Sequence, residues 1–250
     1  MSLSIRGSFD AYPIGFQHIT LKNHDEHYST TRPASNVHNL IMGTMYLEHT
    51  GTMIIHNYKT NMHCALEFKP KSWTGYNAHA VTGHIYNDKE SADKNDKSKS
   101  LASLEGKWSD KIDLVMPDGS KELMWQCSAG LERTDWMYNF TEFSLKINNL
   151  TDEYKAVLPI SDARLRTDLR ALENGDFDLA ATEKHRLEEK QRAARKWRTE
   201  NPGNDFVPKY FRQMLDSDTQ EQYYAYGAEG CRDYWEDRAK QDFAHMEDIY

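Results

Sequence analysis

Three charged side chains on one long predicted helix have the spacing to bind an anion together. Lys184, Glu188 and Arg192 lie four residues apart within DLAATEKHRLEEKQRAARKW (178–197), so a helix places them on one face. A lysine and an arginine two turns apart can clamp one phosphate group, while the intervening glutamate holds both cationic heads in place. The alternative is a solvated ion-pair face, in which each pair contributes about 0.2–0.5 kcal/mol. The spacing alone leaves both interpretations open.

The eleven histidines of the chain raise the question of catalysis or metal binding. The sequence has no HExxH, GxSxG, P-loop or GxGxxG motif. His18, His24, His27 and His38 lie in the region of predicted strands, at spacings that match no metal motif. We therefore expect no catalytic residue, no metal site and no cofactor. An enzyme that uses these histidines, His38 among them, is the least favoured class of function.

Composition limits the partners and the compartment. The net charge of -8 and the pI of 5.8 leave no overall basic surface for nucleic acid, so no nucleic-acid partner is expected. The odd number of distant cysteines, Cys64, Cys127 and Cys231, argues against a disulfide framework and favours a reducing compartment. No apolar run approaches the ~18 residues of a membrane span, and no signal peptide is recognisable. We expect a soluble, cytoplasmic protein.

The secondary-structure elements that must position Lys184, Glu188 and Arg192 are divided between a first half of the chain with a strand pattern and a second half with a helical pattern. The first 150 residues have short apolar or alternating segments separated by polar turns, which predicts an antiparallel meander. Thr50-Gly51 is interpreted as one of these turns. The segments ELMWQC (122–127) and FTEFSLKINNL (140–150) are interpreted as the last long strands. Residues 87–100 contain one alanine and no other apolar residue, which predicts a solvated, mobile loop.

The remaining residues have a helical pattern. One helix is predicted over 161–174, and Asp176 or Asp178 can cap the next one, which runs to about Arg198. A further helix is expected near 231–241. The chain is therefore predicted to have a β-rich α+β fold, with a sheet half followed by a helical half.

Several long segments resemble the oxysterol-binding protein family. They follow the order of the family from about residue 15 to the C-terminus, and the longest is also the most specific. The matching segments are EHYSTTRPASNVHNLIMGTMYLEHTG (26–51), ALEFKPKSW (65–73), LEGKW (104–108), LPISDARLRTDLRALENGDFDLAATEKHRLEEKQRAARKW (158–197) and FVPKYF (206–211).

The resemblance implies a lipid-transfer protein of the cytoplasm that visits membranes peripherally, at membrane contact sites. The implied fold is an incomplete antiparallel β-barrel (1–158) with a lipid tunnel, followed by a helical C-terminal subdomain packed on it (159–250). The implied ligand is a sterol or phosphatidylserine, exchanged for phosphatidylinositol 4-phosphate. The resemblance also implies that Lys184, Glu188 and Arg192 bind the inositol phosphate headgroup.

One departure from the family pattern matters. The fingerprint EQVSHHPP is not in this chain, and no two histidines are adjacent. The simplest account is a chain that starts just after the fingerprint, with a naturally short member as the alternative. A barrel without its first strands has an open edge, so we expect a homodimer through that edge, or an edge that is protected. The competing function is an interaction or regulatory protein that has lost lipid binding and binds a partner through its open sheet edge or its helical subdomain.

Other matching residues are assigned structural roles. Asp162, Arg164, Arg166 and Asp168 are expected to form ion pairs and caps that join the helical part to the barrel. The glycines and aromatic residues of the matched segments are interpreted as turn, bulge or close-packing positions and as packing anchors: Gly43, Gly51, Gly106, Trp108, Trp197 and Phe211.

Overall fold

The computed structural model of the chain describes residues 2–5, 8–131 and 140–249. The chain divides into two compact units, Met1–Ser128 and Ala129–Tyr250. The described residues of the first unit form eleven strands: β1 (Ser2–Ile5), β2 (Phe9–Tyr12), β3 (Gln17–Leu21), β4 (Glu26–Thr30), β5 (Ala34–His38), β6 (Tyr46–Asn57), β7 (Met62–Phe68), β8 (Ala80–Tyr86), β9 (Ala102–Lys107), β10 (Lys111–Val115) and β11 (Lys121–Gln126).

The helices and one hairpin complete the described elements. In the first unit, α1 spans Lys89–Asp93. The second unit contains α2 (Glu142–Lys146), α3 (Asp152–Val157), α4 (Thr167–Glu173), α5 (Phe177–Glu200), the hairpin strands β12 (Phe211–Leu215) and β13 (Gln222–Tyr226), and α6 (Tyr234–Lys240). The β-rich α+β class is confirmed. The division at residue 158 into barrel and subdomain, and the packing of one on the other, stay predictions.

All pairings in the large sheet are antiparallel, in the order β1-β2-β5-β6-β7-β8-β9-β10-β11, with the β3–β4 hairpin attached to β6 through β4. From β6 onward the sheet is a meander, as the sequence predicts. Among the described strands, β1 and β11 lie at opposite ends of the order and do not pair, so the sheet is open. A glycine is required at Gly106, where a Cβ would lie 2.1 Å from the backbone oxygen of Lys111 on β10.

The turn predicted at Thr50-Gly51 is wrong, because β6 continues through these residues. Its first part, 46–50, pairs with β5, whereas 55–57 pairs with β4 on the same side and 51–57 pairs with β7 on the other. Gly51 has φ of 95°, a left-handed conformation that glycine adopts without a Cβ penalty. The glycine therefore marks the point where the strand changes partner, as glycines in strand interiors often do.

The loop predicted over 87–100 is partly helical. Asp88 caps α1, since its Oδ1 accepts a hydrogen bond of 2.8 Å from the backbone N–H of Ser91. Ser91 and Ala92 are buried, and Asn95 accepts a 2.8 Å hydrogen bond from the hydroxyl of the buried Tyr86. The polar composition concealed this helix, because one cap and two small residues are enough to dock a single turn.

The strand predicted over 140–150 is also wrong. Thr141 caps α2 through a 3.2 Å hydrogen bond from the N–H of Ser144, and Thr151 caps α3 in the same way. The apolar residues of FTEFSLKINNL alternate in a way that suggested a strand. The side chain of Thr141 instead caps the N-terminus of a helix, and an argument from periodicity alone does not take such caps into account.

In the second unit, α4 packs against α5, and Leu187 of α5 is completely buried. The predicted ion pairs are confirmed: Arg164 forms two hydrogen bonds of 2.8 Å to Asp162, and Arg166 forms bonds of 2.7 and 2.9 Å to Asp168. These guanidinium bonds hold the pKa of each aspartate below its ordinary value. Their expected role in joining barrel and helices stays a prediction.

The three tryptophan and phenylalanine anchors have different environments. Trp108 packs against the rings of His49 and His79, with centroid distances of 4.8 and 4.4 Å, as expected of a packing anchor. Trp197 is exposed on α5, so its interpretation as an anchor is wrong. Phe211 is partly exposed and contacts Tyr226 across the β12–β13 hairpin.

Candidate functional site

Helix α5 carries the predicted anion site, and its start is fixed by local sequence. Asp176 is the N-cap, because its Oδ1 accepts a 3.0 Å hydrogen bond from the N–H of Leu179. Gly175, with φ of 79°, ends α4 and allows the sharp corner between the helices. Of the two caps considered from the sequence, Asp176 is therefore the one used.

The surface of α5 is covered by ion pairs. The hydroxyl of Thr167, at the start of α4, donates a 2.6 Å hydrogen bond to Glu183. Arg186 also contacts Glu183, at 2.8 Å, and it is the main reason that the pKa of this carboxyl is lowered. Lys190 contacts Asp248 at 3.0 Å. These contacts fix the orientation of α5 within the second unit.

Lys184, Glu188 and Arg192 lie along one face of α5, as their spacing predicts. Successive side chains are rotated by ~40°, because four residues slightly exceed one turn. The Arg192 guanidinium lies 3.5 Å from Glu188 Oε2 and also donates a hydrogen bond to Glu189. The structure thus brings Glu188 and Arg192 together.

Lys184 has a different environment from Arg192. Its side chain is exposed and makes no hydrogen bond or ion pair with another residue in the described part of the chain. The glutamate between the two cations therefore holds the arginine and not the lysine. An exposed ammonium group without a carboxylate partner remains available for an anionic ligand.

The first unit contains a cavity of about 700 Å³ with a mostly apolar lining. This volume falls within the ~300–1,000 Å³ of pockets that hold small molecules. The lining comes from the segment after β2, from the β4–β5 connection and from strands β2, β3, β5, β6 and β7: Ala11, Pro13, Ile14, Gly15, Phe16, Gln17, Arg32, Pro33, Ser35, His49 and Phe68.

Polar groups in this cavity are few and are held in place. The Arg32 Nε donates a 2.6 Å hydrogen bond to Gln17 Oε1. His49 Nδ1 lies 3.1 Å from Ser35 Oγ, and its ring packs edge-on against Phe68. An apolar ligand can bury its body here while a single polar group on it meets the guanidinium or the imidazole.

Sequence reasoning did not find these lining residues. They come from segments that are distant in the chain, so no local spacing brings them together before the strands pair. The segment YPIGF (12–16) has the signal that was available: apolar residues beside a proline and a glycine, without the alternation of a strand.

Two other side chains that could be reactive, those of Cys64 and His38, have surroundings that indicate structural roles. Burial raises the pKa of the Cys64 thiol to about 11, so this cysteine is a poor nucleophile at neutral pH. His38 Nε2 lies 2.7 Å from Oε1 of the buried Glu48. This pair anchors the start of the loop between β5 and β6.

Comparison with known proteins gives one consistent result. The model of the family described as oxysterol-binding protein matches residues 4–239. Mouse oxysterol-binding protein-related protein 1 is 32% identical over 286 residues, which cover 97% of this chain and 28% of that protein. Oxysterol-binding protein homolog 1 of Saccharomyces cerevisiae is 33% identical over 273 residues, covering 97% of this chain and 22% of that protein. The chain thus spans about a quarter of these relatives.

Solved structures agree with the sequence comparison. The Osh1 ORD domain in complex with cholesterol superposes with a TM-score of 0.78 at 27% identity, covering 97% of this chain and 59% of that one. The Osh3 ORD of Saccharomyces cerevisiae in complex with PI(4)P has a TM-score of 0.76 at 26% identity, covering 100% of this chain and 62% of that one.

Within the described residues, every helix is too short or too polar for a membrane span.

Proposed function

Because this chain belongs to the oxysterol-binding protein family, we propose that it binds one lipid at a time and transfers it between membranes. The ligand is a sterol or phosphatidylserine, with phosphatidylinositol 4-phosphate as the lipid exchanged for it. The protein works in the cytoplasm and visits membranes peripherally. The body of the lipid lies in the cavity of the first unit.

The apolar cavity of the first unit carries this proposal. A pocket of about 700 Å³ that is lined by proline, phenylalanine, isoleucine and alanine side chains suits a sterol or an acyl chain. Burial of such a ligand is favourable by roughly 25 cal/mol for each Å² removed from water. Two relatives of similar fold were solved with cholesterol and with PI(4)P. Binding and release need no covalent step, so the proposed function is not enzymatic.

The headgroup site is proposed to lie on α5. Lys184 supplies an exposed cation, and Arg192 supplies a planar guanidinium that can hold two phosphate oxygens. Glu188 lies 3.5 Å from this guanidinium and helps to position it. The contact of Arg192 with Glu189 has to be exchanged for the phosphate, whereas Lys184 binds without losing a partner.

The test is extraction of labelled phosphatidylinositol 4-phosphate and of sterol from liposomes. The whole chain is compared with a Lys184→Ala, Arg192→Ala variant and with Lys196→Ala, which removes an exposed lysine one turn beyond Arg192. We expect the double variant to lose at least about tenfold in phosphoinositide extraction, since charged hydrogen bonds contribute roughly 1.5–3 kcal/mol each. Sterol extraction and the Lys196 variant are expected to be unchanged.

Two results would contradict parts of this proposal. Equal loss in the Lys196 variant would return Lys184 and Arg192 to the role of surface ion pairs. A folded chain that extracts neither lipid, also when extended upstream through any encoded EQVSHHPP segment, would remove lipid transfer itself.

A second candidate function is an interaction protein that uses its sheet edge. Strand β11 is exposed along its whole length and presents Leu123, Met124 and Trp125, and within the described residues it pairs with β10 alone. Exposed edges pair readily with another chain. Light scattering tests the expected homodimer: a Met124→Lys variant should become monomeric if β11 is the interface. A wild-type chain that is monomeric at high concentration excludes this dimer.

A further inference from the structure

Two loops of the first unit expose large apolar side chains to an unusual degree. The loops are residues 39–45, between β5 and β6, and residues 69–79, between β7 and β8. Among the described residues, the large hydrophobic side chains that are more than four-fifths exposed all lie here: Ile41 (81%), Met42 (82%), Trp73 (103%) and Tyr76 (86%). We call these four residues the apolar rim.

The two loops lie side by side because they share an anchor. Glu48 is buried on β6, and its Oε1 lies 2.7 Å from Nε2 of His38, the last residue before the first loop. Its Oε2 accepts a 2.8 Å hydrogen bond from the N–H of Lys71 in the second loop. The Lys71 ammonium also lies 4.3 Å from the centre of the Tyr46 ring, at the end of the first loop. The two loops that carry the rim are therefore held together at their bases.

The loops hold their apolar residues outward by internal hydrogen bonds. In the first loop, the Asn39 side chain donates a 2.9 Å hydrogen bond to the backbone oxygen of Thr44. Gly43 has φ of 89°, and a Cβ there would lie 3.3 Å from the Asn39 amide nitrogen. In the second loop, Ser72 Oγ accepts a 3.1 Å hydrogen bond from the N–H of Tyr76. The exposure thus belongs to a defined conformation.

The charge of the loops differs from that of the whole chain. The chain has 39 acidic residues and a net charge of -8, yet neither loop contains an aspartate or a glutamate. The second loop carries Lys69 and Lys71. A basic, aromatic surface on an acidic protein is complementary to an anionic surface, and lysines near an anionic bilayer are attracted to it.

We propose that the apolar rim docks the protein on bilayers that contain anionic lipid. Tryptophan and tyrosine prefer the interfacial region of a bilayer, where an apolar ring meets water. The rim side chains project from two loop tips, a form that enters a bilayer interface, whereas a protein partner needs a broad complementary area. The inference rests on the proposed lipid transfer, but it concerns a separate surface, since no rim residue lines the cavity.

The test is co-sedimentation of the whole chain with vesicles of phosphatidylcholine, with and without phosphatidylserine. An Ile41→Ser, Trp73→Ala variant is compared with a Phe143→Ala, Phe177→Ala variant, which removes two exposed rings from the helices of the second unit. We expect at least about tenfold weaker binding for the rim variant, because apolar burial is lost, and unchanged binding for the control. A Lys69→Gln, Lys71→Gln variant should lose the preference for anionic vesicles.

Binding that is unaffected by the rim changes, or weakened equally by the control changes, would overturn the proposal. A rim variant that loses self-association in light scattering while it still binds vesicles would assign the rim to a second copy of the chain. Uptake of sterol from cyclodextrin, without vesicles, separates the two proposals. If the chain takes up no sterol but still binds vesicles through the rim, the proposal of lipid transfer is rejected and the proposal of a docking surface is retained.

Discussion

The guanidinium of Arg192 lies 3.5 Å from the carboxylate of Glu188, one turn nearer the start of α5, and it also contacts Glu189. The arginine therefore has two carboxylates to choose from, whereas Lys184 on the same face has none among the described residues. Of the two proposed phosphate ligands, the lysine is ready to bind and the arginine must first exchange a partner.

Glu188→Gln tests whether the glutamate positions the arginine. The change removes one of its two charge partners, so Arg192 is held by Glu189 alone and phosphoinositide extraction is expected to fall, but by less than in Arg192→Ala. The free energy of unfolding should change by at most about 0.5 kcal/mol, because the pair is an exposed i,i+4 contact. Glu189→Gln is the matched control, and it should leave extraction equal or better. Faster extraction by Glu188→Gln would contradict the positioning role.

Filling the cavity tests where the lipid body lies. Ala11 is buried on β2 and lines the cavity, so Ala11→Phe places a ring in the space for the ligand. Sterol extraction should be abolished, and overpacking should lower the free energy of unfolding by about 1–3 kcal/mol. Ala129→Phe adds the same ring at an exposed position and should change neither quantity. A folded Ala11→Phe protein with normal sterol uptake would place the ligand elsewhere.

Asp162 gives a pH dependence with a definite sign. Its pKa is lowered mainly by the hydrogen bond from Arg164, so the ionised form stabilises the folded state. The stabilisation by this ion pair is complete at pH values above the pKa of an aspartate in the unfolded chain, about 3.9. It is lost as the pH falls through the lower pKa of Asp162 in the folded state. Wild type should therefore exceed Asp162→Asn in free energy of unfolding at neutral pH, and the difference should shrink below about pH 4. Urea titrations over this range check it.

The exposed carboxylate of Asp152 provides the control, since Asp152→Asn removes the same charge from a solvated position. A difference between wild type and Asp162→Asn that stays constant down to pH 2 would show that the ion pair is not the cause.

Glu48→Ala tests the shared anchor of the two loops. The change leaves the ring of His38 and the N–H of Lys71 without their acceptor, which should cost about 1–3 kcal/mol of unfolding free energy. The Lys71 amide should also exchange faster with deuterium. Glu67→Ala on β7, where the side chain is exposed, should have neither effect. Unchanged exchange at Lys71 would show that the second loop is held by other contacts.

The parts of the structure that were predicted correctly depend on local sequence. Asp176 caps α5 because its side chain reaches an N–H three residues on. The helix predicted over 161–174 ends as expected, at Glu173 before the positive φ of Gly175, but it starts later, at Thr167. The meander from β6 to β11 is readable for the same reason, since each strand pairs with its neighbour in the chain.

The parts that were missed depend on distant residues or on weak caps. Thr141 and Asp88 start short helices in segments whose composition suggested a strand and a loop. The cavity lining and the anchoring of both loops by Glu48 follow from the register of β5, β6 and β7, which single-sequence periodicity does not give. The resemblance to a lipid-binding family supplied the proposed function. The shared face of Lys184, Glu188 and Arg192 on α5 was predicted because their spacing is local, and their role as headgroup ligands stays a prediction.

The long strand β6 also sets the order in which the first unit can be assembled. Strands β4 and β5 are synthesised before β6, yet both pair with it, so their edges stay unsatisfied until residue 57 has been made. The later pairings, from β6–β7 to β10–β11, join neighbouring strands and close by successive hairpins with a small loss of chain entropy. The synthesis of β6 therefore ends the period in which unpaired strand edges are most exposed to aggregation. Rapid, sequential folding of the later strands begins at this point.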